Sequence, residues 1–315
     1  MKNSIQSALV GMAVGDALGV PVEFMSRSSL DRNPVTSMRE YGTHHQAKGT
    51  WSDDSSLAFC LVESLCKGYD TQDLAEWFMA WYYEGKWTPH GRVFDAGSIT
   101  IGAIRRLKSG VKPTEAGGGS EDDNGNGALM RILPLVFYVQ DFSREQRYQY
   151  VKEVASLTHK HIRSVVACFI YIEYALCLLK GDNKETAYQN ICKELTFFLK
   201  YITISEKELS YFKHIFNGGL PMMHRQLIHS SGYVLHTLEA ALWCVLTSHS
   251  YSETVLKAVN LGEDTDTTAA VAGGLAGILY GIEQIPQEWQ TALAKYELII
   301  DLANRLEQKI SINYS

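Results

Sequence analysis

The sequence predicts an all-α fold. Apolar residues recur at spacings of three and four along most of the chain, which is the periodicity of one face of a helix. Alternation with a period of two, the pattern of a half-buried strand, is scarce. Only seven prolines interrupt the 315 residues, so long helices are possible. These features are typical of chains in which helices pack on helices around one core.

The helical spacing predicts the elements in chain order. The predicted helices are Ile5–Leu18, Ser55–Cys66, Leu74–Tyr83, Ser98–Lys108, Arg147–Leu157, Ile162–Leu179, Lys184–Leu199, Tyr233–Leu246, Tyr251–Asn260, Thr267–Tyr280 and Trp289–Gln308. The stretch Lys112–Asn126 is rich in glycine and acidic residues, and we predict a flexible surface loop there. Because chemically interesting residues lie on both sides of this loop, we predict one domain over residues 1–315.

Composition and charge exclude several classes of protein. Hydrophobic residues make up 46% of the chain and charged residues 20%, which is typical of a globular protein and excludes general disorder. The net charge of −6 disfavours nucleic acid as a partner, since nucleic-acid binders carry a basic excess. Any site for a phosphate must therefore be a local feature of an acidic protein.

Cysteine usage and hydropathy predict the compartment. The six cysteines form no Cys-x-x-Cys pair, so we expect buried, reduced thiols rather than a zinc ribbon or a redox centre. The apolar run near the N-terminus is interrupted by Asp16, and Ala269–Ile282 is shorter than the ~20 residues that span a bilayer. We expect no membrane segment and a cytoplasmic location.

Two segments place hydroxyl and carboxylate side chains directly before a helical pattern. These segments are Gly49–Ser55 and Gly262–Thr268. One interpretation is simple capping, because a helix start has unpaired N–H groups and favours nearby carboxylates. Under that interpretation Ser52 caps the first helix, and Thr265 or Asp266 caps the second.

The second interpretation is a metal centre. Adjacent carboxylates repel each other, whereas a cap needs only one side-chain acceptor. The two segments supply an all-oxygen set of potential ligands, Ser52, Asp53, Asp54, Asp264, Asp266 and Thr267. Hard divalent cations such as Mg²⁺ or Mn²⁺ prefer such a set, and their charge offsets the repulsion. The segments lie 211 residues apart, so this hypothesis requires the fold to bring both helix starts together.

Other metal and phosphate motifs do not fit. The chain has no His-Glu-x-x-His motif and no Gly-Lys-Ser/Thr phosphate loop. Residues from Asp122 onward imitate the start of a calcium loop, but Leu133 stands at its closing glutamate position. A diphosphate enzyme of isoprenoid metabolism usually has a further aspartate where this chain has Leu57.

A series of motifs resembles one known family. In chain order the motifs are Gly15–Gly19, Val22–Phe24, Trp51–Ser55, Phe94–Gly97, Gly125–Arg131, Thr158-His159, Gly232–Val234, Glu239–Trp243 and Asn260–Thr268. Together they are similar to the ADP-ribosylglycohydrolase family, which includes the dinitrogenase-reductase-activating glycohydrolases. The resemblance extends from residue 11 to about residue 281, and the pair of acidic segments is its most specific part.

The resemblance implies a compact, orthogonal helical domain with two divalent cations, Mg²⁺ or Mn²⁺. It implies cleavage of the bond between C1″ of ADP-ribose and a modified protein side chain, with arginine as the favoured acceptor and ADP-ribose as the product. By position it implies the six metal ligands named above, and Glu23, Asp54, Asp95 and Asp264 as catalytic carboxylates. The implied substrate-binding residues are Gly97, Ser98, Gly125, Asn126, Gly127 and His159. We expect a monomer.

General chemistry agrees with this function. Glycoside cleavage passes through an oxocarbenium-like state and is helped by protonation of the leaving group and activation of water. Gly125 and Gly127 allow backbone N–H groups to approach a diphosphate closely. Three alternatives stay open: a catalytically silent module that binds ADP-ribose or a nucleotide, a Mg²⁺-dependent phosphohydrolase or diphosphate lyase, and a hydrolase for another acceptor (serine, a nucleobase or a small molecule).

Several candidate residues also have plainer interpretations. Glu23, taken alone, reads as a solvated charge in a loop, and His161 reads as a surface or capping residue. Tyr233 and Trp243 have the helical spacing of core residues. Arg131 is a candidate partner for a buried carboxylate rather than for a phosphate.

Overall fold

The computed structural model describes residues 3–312, and this part of the chain contains sixteen α-helices. They are α1 Ser4–Gly19, α2 Arg27–Arg32, α3 Asp53–Lys67, α4 Thr71–Glu84, α5 Ser98–Lys108, α6 Leu135–Val139, α7 Arg144–Ser156, α8 Ile162–Leu179, α9 Lys184–Tyr201, α10 Glu206–Tyr211, α11 Lys213–Phe216, α12 Val234–Leu246, α13 Tyr251–Val259, α14 Thr265–Tyr280, α15 Gln287–Ala292 and α16 Tyr296–Ile312.

Short 3₁₀ turns connect many of the helices. They are Val20–Val22, Gly42–His44, Pro113–Glu115, Glu121–Asp123, Leu220–Met222, Arg225–Leu227 and Ile282–Gln284. Residues 3–312 contain no β-strand, only isolated bridges such as Gly118 with His159 and Gly125 with Tyr233. The predicted all-α fold is confirmed, and its buried side chains form one hydrophobic core.

The pair α1 and α14 lies at the centre of this core. Both helices are buried along almost their whole length, as expected of helices that are apolar on every side. Their backbones approach closely at two glycines. A Cβ atom at Gly15 would lie 2.1 Å from the carbonyl oxygen of Ala269, and one at Gly19 would lie 2.3 Å from Cα of Asp266. This close approach places Asp16, on α1, beside the start of α14.

Two stretches, Ser4–Val22 and Ile162–Leu179, are long and apolar enough by length and composition to cross a membrane. Within the fold, 94% of the first and 83% of the second are buried. Their apolar character is therefore accounted for by their place in the helical core, since a core helix meets the same criterion.

The predicted helix Trp289–Gln308 is wrong as a continuous element. The chain forms α15 and α16 instead, with Lys295 at a φ of 57° between them. Backbone groups in the break bond to the rest of the molecule: Ala294 N donates to Gly49 O at 2.9 Å, and Trp51 Nε1 donates to Ala294 O at 2.9 Å. These tertiary bonds replace helical ones, and apolar spacing cannot reveal them.

The predicted flexible loop at Lys112–Asn126 is also corrected. It contains two 3₁₀ turns, and two of its glycines are bonded to the end of α7 and the residues that follow. Gly117 N donates to Ser156 O and Gly118 N to Thr158 O, each at 2.9 Å. The segment is therefore tied along the body of the domain.

Candidate active site

The start of α3 is fixed by a carboxylate from α1. Asp16 Oδ1 accepts from Ser52 N at 2.8 Å, and its Oδ2 accepts from Ser55 N at 3.1 Å and from Ser55 Oγ at 2.6 Å. Ser52 also caps the helix, because its Oγ accepts from Asp54 N at 3.3 Å. The capping interpretation of Ser52 is confirmed, and the helix begins two residues earlier than predicted, with Asp53 and Asp54 in its first turn.

The start of α14 differs from the predicted cap. Asp264 occupies the N-cap position, and Thr265 and Asp266 are the first helical residues, so the expectation that either of them caps the helix is wrong. The hydroxyl of Thr265 instead donates to Gly19 O at 2.8 Å, a bond made available by the close approach of α1. Asp264 Oδ2 accepts from Asn126 Nδ2 at 2.8 Å.

The two acidic helix starts meet in space. Thr267 Oγ1 donates to Asp54 Oδ1 at 3.2 Å, which joins residues 213 positions apart. Carboxylate oxygens of Asp16, Asp54 and Asp266 lie within 4.8 Å of one another, and so do those of a second group, Glu23, Asp264 and Asp266. The convergence that the metal hypothesis requires is therefore present.

Glu23 is part of the same cluster. It is only 4% exposed, so its interpretation as a solvated loop charge is wrong. Its Oε2 is hydrogen-bonded to His44 Nε2, and ligand atoms of Glu23, His44 and Asp95 lie within 4.8 Å of one another. Burial, followed by the nearby charges of Asp95 and Asp264, raises the pKa of Glu23 to about 10. Glu23 therefore keeps its proton at neutral pH when no cation is bound.

Strained backbone surrounds the cluster. Phe24, Asp95 and Glu263 adopt φ values of 64°, 51° and 61°, in the left-handed region that non-glycine residues rarely enter. Asp95 belongs to the acidic cluster, Phe24 directly follows Glu23, and Glu263 directly precedes Asp264. Strain of this kind is often stored at functional sites, where the surrounding structure enforces it.

The electrostatics of the cluster favour a cation. Burial raises the pKa values of Asp53, Asp54 and Asp266 well above the usual range, and neighbouring carboxylates raise them further. Asp54 Oδ2 is buried and has no hydrogen-bond partner among the described residues. An unpaired buried carboxylate oxygen is costly. The predicted oxygen ligands therefore fit a divalent cation, which would satisfy that oxygen and remove the repulsion.

Five carboxylates of the acidic cluster line a cavity of about 270 Å³. Twelve of the predicted site residues line it. They are Glu23, Asp53, Asp54, Asp95, Gly97, Ser98, Gly125, Asn126, Gly127, His159, Asp264 and Thr267. Ser52 and Asp266 do not line it, and each is buried at 1% exposure. A second cavity of about 580 Å³ shares Ser98 and Ile99 with the first.

A glycine loop and a histidine form another part of the cavity lining. Asn126 N donates to Gly232 O at 3.0 Å, which fixes this loop beside the start of α12. A Cβ atom at Gly127 would lie 2.7 Å from Cε1 of His159, so the close approach requires glycine there. His159 is buried, and burial lowers its pKa to about 3, which makes the ring neutral.

The plainer interpretations have mixed outcomes. His161 caps α8, because its side chain accepts from Arg163 N at 3.2 Å, and Trp243 is a buried core residue. Arg131 is fully buried but, contrary to expectation, its hydrogen bonds go to Val154 O and Thr158 Oγ1 rather than to a carboxylate.

Two members of the site carried a weaker signal in the sequence. Asp16 interrupts an apolar helix, and a charge in such a run needs a partner, so its position was informative. No pattern in the sequence singles out His44, which the 3₁₀ turn Gly42–His44 brings to Glu23.

The fold and the site define a helical protein with a buried acidic centre beside a ligand-sized cavity. The sequence model of the ADP-ribosylglycohydrolase family matches residues 1–314, and the chain belongs to this family. It is accordingly a glycohydrolase enzyme, and its relatives support an ADP-ribosyl hydrolase activity.

Similar proteins cover nearly the whole chain. ADP-ribosylarginine hydrolase Tri1 of Pseudomonas putida is 33% identical over 305 residues, which are 96% of this chain and 77% of the relative. ADP-ribosyl-[dinitrogen reductase] glycohydrolase of Rhodospirillum rubrum is 29% identical over 297 residues, with 91% and 88% covered. A solved structure titled ADP-ribosylglycohydrolase-related protein complex superposes with a TM-score of 0.82 at 30% identity, covering 98% of this chain and 100% of that one.

Proposed function

We propose that this protein is a divalent-cation-dependent hydrolase that releases ADP-ribose from ADP-ribosylated arginine side chains of proteins. One observation carries the proposal: two acidic helix starts, remote in the chain, converge in the lining of a cavity that also includes a glycine loop and the N-terminus of α5. The identity of the relative from Pseudomonas putida, an ADP-ribosylarginine hydrolase by name, supports the choice of acceptor.

The cavity has features that suit the diphosphate of ADP-ribose. The N-terminus of α5, at Gly97 and Ser98, lines it, and a helix start offers unpaired N–H groups and a partial positive charge to an anion. Gly125 and Gly127 line the same cavity, and neither carries a side chain that would come between its backbone and a ligand. The adjoining cavity of about 580 Å³ adds room for the rest of a dinucleotide-sized ligand.

The acidic residues suit two cations, Mg²⁺ or Mn²⁺. We propose that Ser52, Asp53, Asp54, Asp264, Asp266 and Thr267 hold them, since all six offer hard oxygen ligands at the point where the two helix starts meet. Bound cations would orient the ribose hydroxyls and make water a better nucleophile near neutral pH. The orphaned Asp54 Oδ2 supports this assignment.

Side chains of the protein can donate and accept the protons that the reaction requires. In hydrolysis the bond between C1″ and the guanidine nitrogen breaks, the oxygen of water bonds to C1″, and the leaving nitrogen gains a proton. Glu23 and Asp95 line the cavity with carboxylate oxygens within 4.8 Å of each other, so Glu23 in its protonated form can deliver a proton to the leaving nitrogen. The proton lost by water then restores the pair.

The charge of the site favours a cationic acceptor. Five carboxylates, Glu23, Asp53, Asp54, Asp95 and Asp264, line the cavity, and its described lining contains no lysine or arginine. Asp95, which is not among the proposed metal ligands, can pair with a guanidinium group, whereas the O-glycoside of serine carries no charge to pair with. We also propose a cytoplasmic location, which the six free cysteines support.

The test is release of ADP-ribose from a protein modified on arginine, compared with the same protein modified on serine. We expect release from arginine that requires Mg²⁺ or Mn²⁺ and is lost in the Asp264→Asn/Asp266→Asn variant. Release that persists in this variant would contradict the metal assignment. Binding of ADP-ribose without turnover under any cation would identify a silent binding module, and release of phosphate would identify a phosphohydrolase.

A further inference from the structure

We propose that Arg131 and Thr158 are positioning residues that hold the proton of His159 on Nε2, so that the neutral ring presents an N–H donor to the diphosphate of the ligand. The identity of the acceptor as a diphosphate rests on the proposed function. The state of the histidine ring rests only on the contacts of the protein itself.

Arg131 is an unusual core residue. Its side chain is fully buried, with its guanidinium carbon 4.7 Å from the centre of the Phe78 ring. Its Nη2 donates to Val154 O at 3.1 Å and to Thr158 Oγ1 at 2.8 Å, while Nε and Nη1 have no hydrogen-bond partner among the described residues. Burial lowers its pKa to about 10, so it is still charged at neutral pH. A buried charge with so few partners lowers the stability of the folded protein, and Leu or Met would fill the same space without this penalty.

The hydrogen bonds of the Thr158 hydroxyl determine which ring nitrogen of His159 carries the proton. A guanidinium group only donates, so Thr158 Oγ1 accepts from Arg131. The other partner of this hydroxyl is His159 Nδ1 at 2.9 Å. If Nδ1 carried the proton, the hydroxyl hydrogen of Thr158, a residue with 0% exposure, would be left without an acceptor. The hydroxyl therefore donates to Nδ1, and the ring proton lies on Nε2.

His159 Nε2 faces the cavity. A Cβ atom added to Gly125 or to Gly127 would lie 3.4 Å from Nε2, and all three residues line the cavity. The backbone of His159 is held as well, because its N–H donates to Ala155 O at 2.9 Å. The ring therefore points its donor at the wall that we assign to the diphosphate.

The arrangement has a functional consequence. A histidinium ion would bind an anion only below its pKa, whereas a neutral Nε2–H donor works throughout the physiological pH range. Arg131 contributes in two ways: it fixes the hydroxyl of Thr158 as a donor, and its charge opposes protonation of His159. The Nε2–H group of His159 therefore donates a hydrogen bond to the anion, and this donor does not titrate near neutral pH.

Nitrogen NMR of the His159 ring tests the proposal in the protein without ligand. We expect the Nε2–H tautomer in the native protein at pH 6 to 8. In Thr158→Val the preference for this tautomer should be lost, while Thr158→Ser, which keeps the hydroxyl, should retain it. The Kd for ADP-ribose, measured by calorimetry with the cation present, should rise about 10- to 100-fold in Thr158→Val, the effect of one hydrogen bond to a charged group, and less than about threefold in Thr158→Ser.

Turnover separates this positioning role from a purely structural one. We expect Thr158→Val to raise KM for the ADP-ribosylated protein with kcat little changed, and Thr158→Ser to restore KM. An Nδ1–H or charged ring in the native protein would overturn the proposal, and this result does not depend on any variant folding. An unchanged tautomer and Kd in folded Thr158→Val would also overturn it. Failure of the native protein to bind ADP-ribose would instead refute the proposed function, because the tautomer is measured without ligand.

Discussion

Glu23 shows how strongly its surroundings change a single carboxyl group. The 3₁₀ turn Val20–Val22 leads directly into it, and Thr43 Oγ1 donates to its backbone carbonyl at 2.7 Å. These contacts bury a side chain that, in the sequence, follows a proline and a valine and looks like part of a surface loop. Burial among other carboxylates makes it a protonated acid at neutral pH in the cation-free protein.

Replacing Glu23 with glutamine should remove proton transfer and keep the shape of the site. We expect Glu23→Gln to lower kcat for release of ADP-ribose by about 10²- to 10⁴-fold, with a much smaller change in KM. The matched control is Glu288→Gln, which makes the same change at an exposed residue of α15. A kcat within twofold of the native value in Glu23→Gln would show that Glu23 transfers no proton in the reaction.

Residue patterns predicted much of the site. The acidic and hydroxyl residues at the starts of α3 and α14 were recognisable because a cap needs one acceptor and these segments carry several. His44 was not recognisable, because its place beside Glu23 depends on a short turn without periodicity. Asp16 lay in a motif that was noticed, but its bonds to Ser52 and Ser55 depend on how α1 meets α3.

At the scale of elements, the packing of α1 on α14 sets the geometry of the acidic cluster. The glycines Gly15 and Gly19 allow the two backbones to approach on either side of Asp16. This brings the carboxylate that fixes the start of α3 next to the start of α14. The metal centre is therefore a consequence of helix packing as much as of the acidic residues themselves.

A single methyl group at this contact should disturb the cluster. We expect Gly19→Ala to lower the free energy of unfolding by about 1–3 kcal/mol, because its Cβ would lie 2.3 Å from Cα of Asp266. Displacement of α14 should also weaken Mn²⁺ binding by about 10- to 100-fold. Urea unfolding and calorimetric titration measure these two effects.

The control for this substitution is Gly102→Ala in α5. There the new Cβ would meet only Arg106 Nη1, at 3.5 Å, and alanine favours a helix over glycine by up to about 1 kcal/mol. We expect unchanged or raised stability and native Mn²⁺ affinity. Equal effects of the two substitutions would mean that the close approach of α1 and α14 does not position the site.

Some helix boundaries could be predicted from the sequence and others could not. The predicted Ser98–Lys108 and Ile162–Leu179 agree with α5 and α8, because strong apolar spacing and clear flanking residues mark them. The break between α15 and α16 was missed because it is stabilised by bonds to Gly49 and Trp51, which are remote in the chain. The short helices α2, α6, α10 and α11 contain too few turns to show a period.

For the molecule as a whole, the acidic cluster destabilises the folded state when no cation is bound. Burial raises the pKa of Asp16 to about 6 and that of Glu23 to about 10. Between the ordinary pKa of each group and its raised value, the folded protein binds more protons than the unfolded chain. Stability then falls as the pH rises through this window.

The metal-free protein should therefore become less stable from about pH 7 to about pH 8.5. This window begins above the ordinary pKa of histidine, about 6.5, because the lowered pKa of His159 has the opposite effect below it. Urea unfolding in the presence of a chelator measures the trend. Mg²⁺ or Mn²⁺ at about 100 times its Kd should add roughly 2.7 kcal/mol per site and reduce the decline with pH.

The Asp264→Asn/Asp266→Asn variant is the control for this experiment, and we expect it to gain little stability from either cation. Metal-free native protein that becomes more stable over the same pH range would contradict the assignment of a raised pKa to Glu23. A native protein insensitive to both cations would contradict the metal centre.

A crystal structure with Mn²⁺, in which anomalous scattering locates the ions, tests most directly whether the two acidic helix starts hold a pair of cations. We expect two Mn²⁺ ions between the helix starts, bound by oxygens of Asp53 and Asp54 on one side and of Asp264 and Asp266 on the other. Anomalous peaks elsewhere, or none at this cluster with Mn²⁺ in excess, would contradict this expectation.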